Sequence, residues 1–159
     1  MFHGINTPLF NKDVSGFMVI DALKMSLQGY AVLGFVLYLI GAVAIFSLFA
    51  FVYTRLTPHA EFALIREGNT AASIALSGAL IGFAIPVASV ITHSISLLDF
   101  LVWALIASVV QLLVFGGVSF VLKGLSRRIE SGEIASAVLV ASISISIGLL
   151  NAACMTPSA

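Results

Sequence analysis

Charge is scarce in this chain. Of 159 residues, seven are Lys or Arg and seven are Asp or Glu, 9% in all, against about 25% in an ordinary soluble domain. With 60% hydrophobic residues and a mean hydropathy of +1.17, the chain cannot cover its own surface in water; its natural solvent is a bilayer. The formal net charge is zero, which leaves no footprint for nucleic acid and none for electrostatic recruitment to a membrane surface. Cysteine is nearly absent. Cys154 stands alone, so no internal disulfide and no cysteine metal cluster can form, and no metal or cofactor is expected. The enzyme signatures H-E-x-x-H, G-x-S-x-G, the P-loop and C-x-x-C are all missing. No basic residue sits beside Cys154 to activate it as a nucleophile. The opening residues lack a basic segment followed by a short apolar core and a small-residue cleavage site, so no cleaved signal peptide is expected.

What the chain does have is long uncharged runs. Residues 1–28 are the only part with the mixed polarity of protein surface, carrying Lys12, Asp13, Asp21 and Lys24. Within them Phe17, Ile20, Leu23 and Leu27 recur at helical spacing. An amphipathic helix lying in the membrane interface and a partly ordered tail both fit that pattern. A first span covers Gly29–Tyr53, rich in Phe and Leu, with Tyr30 and Tyr53 placed as an aromatic belt. Thr57-Pro58 has the look of a helix start and Gly68 of a stop, which predicts a short surface helix with Phe62 and Ile65 toward lipid and Glu61, Arg66 and Glu67 in water.

The second span, Asn69–Ile91, is built of small residues. Ala71, Ala75, Gly78 and Gly82 share one helix face, and Gly78 with Gly82 forms a small-xxx-small pair that lets another helix approach closely. Pro86 is expected to kink it. A short turn, His93–Asp99, leads to a third, bulky span, Phe100–Leu122, with Asp99 favouring the helix start. A second charged loop (Lys123, Arg127, Arg128, Glu130, Glu133) precedes the fourth span, Ile134–Met155. That span sets Ala137, Ala141, Ser144, Gly148 and Asn151 on one stripe. None of the four spans holds an internal acid that would serve as an intramembrane base.

The grammar of the second span returns in the fourth. EFALIREGNTAASIALSGALIGFAIPVAS is echoed by LSRRIESGEIASAVLVASISISIGLLNAA, with Ile65 falling on Ile129, Gly68 on Gly132, Ile74 on Val138, and Gly78 and Gly82 on Ser142 and Ser146. The expected fold is therefore all-α, a polytopic membrane protein of four transmembrane helices arranged as two tandem two-helix repeats in parallel orientation. The divisions are a tail (1–28), a first two-span unit (29–91) and a second (92–159). The small-residue spans two and four form the inner pair, and the bulky spans one and three face lipid. Arg55, Arg66, Lys123, Arg127 and Arg128 lie in the two charged loops, against Lys12 and Lys24 on the other side. The positive-inside rule then puts the loops in the cytoplasm and both termini outside it.

From Glu61 to Met155 the stretches IREGNTAASIALSGALIGFAIPVAS, HSISLLDFLVW, LSRRIESGEIASA and GLLNAACM resemble the bacterial inner-membrane family known as domain of unknown function 350, the YjfL-like proteins. The resemblance implies a small integral inner-membrane protein made of two tandem two-span units. It implies no established reaction.

Polar residues inside spans are costly unless partnered, so they are the first candidates for a site. Asn151, with Ser144 and Gln111, fits two roles: lining a hydrated path, or forming an interhelical hydrogen bond worth about 0.6–2 kcal/mol. His93 and Asp99 fit a proton-sensitive pair at the outer face, or an interfacial histidine beside a capping aspartate. Glu61, Arg66, Glu67, Arg127, Arg128 and Glu130 fit a docking surface for a cytoplasmic protein, or simple loop solvation. Two functions follow. One is a structural or accessory subunit that self-associates or pairs with a membrane partner through the small-residue faces of spans two and four (Gly78, Gly82, Ala137, Ala141, Ser144, Gly148). The alternative is a passive channel or transporter component lined near Asn151, Ser144 and Gln111.

Overall fold

The computed structural model describes residues 18–24, 29–57 and 61–155. Every element in them is helical. Residues 18–24 form α1, followed by α2 (Gly29–Leu56), α3 (Glu61–Arg66), α4 (Thr70–His93), α5 (Leu97–Val121), α6 (Leu125–Glu130) and α7 (Ile134–Cys154). Helices α2, α4, α5 and α7 are each long and apolar enough to cross a membrane. The chain divides into two units, residues 1–39 and residues 40–159. In the first, Met18, Val19, Ile20 and Leu23 of α1 are exposed, and Lys24 lies 4.0 Å from Asp21 one turn away. The rest of the 14–27 segment read as amphipathic falls outside the described residues.

In the second unit α4 is the most enclosed helix: half of its most apolar stretch is buried, against 28% for α5 and 28% for α7. The expectation that α4 and α7 are both inner helices is thus corrected in part. One face of α7 meets α4, while its Leu139, Leu149 and Leu150 remain exposed, because only the small residues on its other face allow close approach.

That approach is backbone to backbone. A Cβ added to Gly78 would collide with Cα and Cβ of Ala141, and one added to Gly82 would meet the Ser144 carbonyl. One added to Gly148 would fall on the carbonyl oxygen of Gly82. The identity of that oxygen is informative. Gly82 is four residues before Pro86, which has no N–H to give it. The carbonyl that Pro86 deprives of its usual donor lies against Gly148 across the seam, in space that only glycine leaves free. α4 runs as helix through Pro86, and Pro86 is buried in the packing.

Against this seam lies an aromatic cluster from the second part of α2. Phe49 stacks on Phe83 of α4 with ring centroids 4.1 Å apart, and Tyr53 meets the Phe115 ring of α5 edge-on at 4.8 Å. Tyr53 is 1% exposed, so it is a core residue and not part of an interfacial belt; Tyr30, at 88%, remains an exposed one. Thr57 is also reassigned. Its hydroxyl donates to the carbonyls of Tyr53 (3.3 Å) and Thr54 (3.2 Å), at the end of α2; Pro58, the other half of the expected helix start, lies outside the described residues.

Replacing Gly82 with leucine drives a side chain into backbone, the obstacle least able to move, and overpacking of this kind costs about 1–3 kcal/mol. Gly82→Leu should lower the unfolding temperature of the purified protein in detergent. Gly117→Ala, where a Cβ meets nothing within 4 Å, should leave it unchanged or raise it.

Candidate functional site

Three groups of polar residues stand out: a node within the bundle, the paired charged turns at one end, and a cleft at the other. At the node, Gln111 of α5 is 2% exposed. Its Nε2 donates to the Ser144 carbonyl at 3.0 Å and lies 2.7 Å from where a Gly82 Cβ would be. Gln111 therefore bonds across to α7 at the closest crossing of α4 and α7. Its Oε1 is buried with no hydrogen-bond partner among the described residues, an arrangement that costs about 1–3 kcal/mol unless a partner is supplied. Ser144 is buried beside it. Asn151, on the same α7 stripe, is half-buried, and its Nδ2 likewise lacks a partner. It lies about two turns of helix farther along α7, so the structure brings Gln111 and Ser144 together and leaves Asn151 apart. A direct α4–α7 hydrogen bond runs from the Ser89 hydroxyl to the Ala152 carbonyl (3.2 Å); it is not legible in the sequence, because a serine in a small-residue helix carries no sign of its partner.

At the charged end, each long helix is entered through a short helix and a glycine of positive φ: α3 and Gly68 (86°) before α4, α6 and Gly132 (83°) before α7. α6 has no counterpart in the expected elements. Asn69 ties the two turns together. Its Oδ1 accepts from the Ala72 N–H at 2.9 Å, capping α4, and its Nδ2 donates to the carbonyls of Ile129 (3.1 Å) and Glu130 (3.0 Å). The signal for the cap was present in the sequence, as an asparagine directly before a long apolar helix. Its second role was not, since it depends on a carbonyl pair some sixty residues away.

The charged residues here divide. Arg66, Glu67, Arg127 and Glu130 are exposed. Glu61 is 2% exposed, which overturns its expected place in water. It lies in the first turn of α3, close enough to Tyr53 to act on it electrostatically. Arg128 forms an ion pair with Glu133, its Nε 2.7 Å from Oε2 and its Nη2 against Oε1. The Ser136 hydroxyl also donates to Glu133 Oε1 at 2.9 Å. These bonds, Arg128's first, hold the Glu133 carboxyl at about 2. Among the described residues, no three of His, Cys, Asp and Glu come together as metal ligands.

At the opposite end, His93 and Asp99 line one cleft of about 320 Å³ with Ser94, Trp103 and Cys154. Their own hydrogen bonds go elsewhere. His93 Nδ1 meets the Ser89 carbonyl at 2.7 Å, and Asp99 Oδ2 accepts from the Ile95 N–H at 3.1 Å. Ser96, the residue before α5, accepts from the Asp99 N–H at 3.2 Å. Ser96 is therefore the N-cap of α5, and the Asp99 carboxylate reaches back one residue beyond it, to the Ile95 N–H.

The Glu133 pair makes a pH prediction whose sign is fixed. A carboxyl held lower in the folded chain contributes stability that is full above its ordinary value of 4.5 and is lost as pH falls toward about 2. Thermal unfolding followed across that window should show an acid-dependent loss that is reduced in Glu133→Gln.

Residues 25–155 match the family model described as Domain of Unknown Function (DUF350). The chain is 40% identical over 126 residues to the UPF0719 inner membrane protein YjfL of Escherichia coli strain K12, covering 79% of this chain and 96% of that protein. The protein of the same description from Escherichia coli O157:H7 matches to the same extent. No solved structure matches. Four apolar helices, together with inner-membrane relatives this similar, make the protein a multi-pass inner-membrane protein. The chain belongs to the DUF350 family.

Proposed function

We propose that this protein is a non-enzymatic structural or accessory subunit of the inner membrane, which presents its two charged turns to a cytoplasmic partner. The observation that carries this is the division of labour among its charges. No charged residue lies between the first and last turns of any of the four spans, while Arg66, Glu67, Arg127 and Glu130 stand exposed together on the turns. Within the chain Gly78, Gly82, Ala141, Ser144 and Gly148 pack against one another, which favours an association that leaves this seam intact. A second copy or a membrane partner would then use the bulky outer faces.

The architecture behind this proposal is a pair of tandem two-helix units in parallel orientation. Its support is the agreement of the two turns at a constant offset. Gly68 N–H bonds to the Ile65 carbonyl (3.0 Å) as Gly132 N–H does to Ile129 (2.9 Å), and Asn69 N–H bonds to Leu64 (2.9 Å) as Glu133 N–H does to Arg128 (2.9 Å). Such units are related by an axis along the membrane normal. The excess of Arg and Lys on the turns favours a cytoplasmic placement for them and an outside placement for both termini. A reporter that is active only outside the cytoplasm, fused after Ala159, should be active; one that is active only in the cytoplasm should be silent there.

A second function, a passive channel component, is favoured by the partnerless Gln111 Oε1 and Asn151 Nδ2. Purified protein in sealed liposomes decides between the two. The accessory subunit should leave the vesicles tight to ions and small solutes. Solute-specific flux that disappears in Asn151→Leu would overturn it in favour of the channel.

A further inference from the structure

We propose that the cleft at the end of the bundle opposite the charged turns binds a primary ammonium group. Its walls come from the end of α4, the start of α5 and the end of α7, and its volume of about 320 Å³ lies at the small end of ligand pockets. That size suits a headgroup or a small amine and excludes a large cofactor.

The class of ligand follows from which polar atoms remain unused. In the tautomer with its proton on Nδ1, His93 donates to the Ser89 carbonyl at 2.7 Å, with the Thr92 hydroxyl 2.9 Å from the same nitrogen. Nε2 is then left as an acceptor. Asp99 uses Oδ2 to receive the Ile95 N–H, and Oδ1 and the negative charge remain for the cleft. The Ser94 hydroxyl is buried, has no partner, and can accept as well as donate. Trp103 supplies an aromatic surface, which attracts a cation. An anionic oxygen, an imidazole lone pair and a hydroxyl beside an indole call for a positively charged group with several N–H donors. A quaternary ammonium carries the charge without the donors, and an anion would be repelled by Asp99. An amine of this kind reaches the cleft either as the headgroup of an ethanolamine lipid or as a free primary amine in solution.

Trp103 is the sole tryptophan of the chain, so its emission reports occupancy of the cleft directly. The full-length protein is placed in nanodiscs of phosphatidylcholine, and Trp103 fluorescence is followed as ethanolamine, or choline as the quaternary control, is added. In a parallel arm, phosphatidylethanolamine replaces part of the phosphatidylcholine. A saturable change with ethanolamine and none with choline is the expected result. A response to the lipid exchange assigns the site to the headgroup, and a response to soluble ethanolamine alone assigns it to a free amine. In Asp99→Asn, whose amide oxygen can still receive the Ile95 N–H, the midpoint should weaken at least tenfold. No saturable change in either arm, an equal response to choline, or an unshifted midpoint in Asp99→Asn would overturn the proposal. The choline comparison uses the unaltered chain, so it decides the matter even if the variant fails to fold.

Discussion

The contact on which the rest of this bundle depends is the meeting of two backbones at Gly82 and Gly148. In lipid no hydrophobic force draws helices together, so association rests on close packing and on the few polar bonds the helices can share. Glycine at both positions removes the side chains that would hold the axes apart. Pro86 then contributes in an unexpected way. By withholding its N–H it removes the donor that the Gly82 carbonyl would take from four residues on, and that carbonyl is the atom pressed against Gly148. A defect in one helix becomes a point of attachment for the other. Gln111 adds a third helix at the same level through the Ser144 carbonyl.

Away from that crossing, the helices are held where each enters or leaves the membrane. Asn69 joins the two turns at one end, and Ser89 reaches Ala152 near the other. The turns bury Ala71, Ala72, Ala75, Ile129 and Val140 in one apolar cluster beneath Asn69. The cross-links thus sit at three levels along α4. The outer helix faces, lined with exposed Leu, Val and Phe, need no specific partner because acyl chains solvate them.

Much of this was legible in the sequence, for a physical reason. Spans are set by the thickness of the hydrocarbon and by the cost of charge within it, both of which act on composition alone. Helix boundaries therefore fell within a few residues of the observed ones, and a stripe of small residues identified a close-packing face. What stayed hidden depends on neighbours distant in the chain. Tyr53 looks like an interfacial anchor by position, yet Phe49 and Phe115 enclose it. Glu61 looks like surface by type, yet it is covered. α6 was missed because six residues, Leu125–Glu130, are too few for an apolar period to emerge from a charged loop. The cap of Asn69 is local and legible; its clasp on the Ile129 and Glu130 carbonyls is neither.

The two ends of the bundle are consequently unlike in kind. At the turns, Arg128 satisfies Glu133 and Asn69 satisfies two carbonyls, while Arg66, Glu67, Arg127 and Glu130 face outward. That surface is charged with both signs around a wide-open groove of about 400 Å³ between the two turns, lined by Glu67, Asn69 and Glu130, a shape suited to another protein. At the far end, polar groups line a concavity and keep acceptor capacity in hand: Asp99 Oδ1, His93 Nε2 and the Ser94 hydroxyl. Small ligands are bound in concave sites with a few convergent polar groups. On the two proposals above, the protein holds a ligand at one end and a partner at the other, with the closely packed α4 and α7 between them.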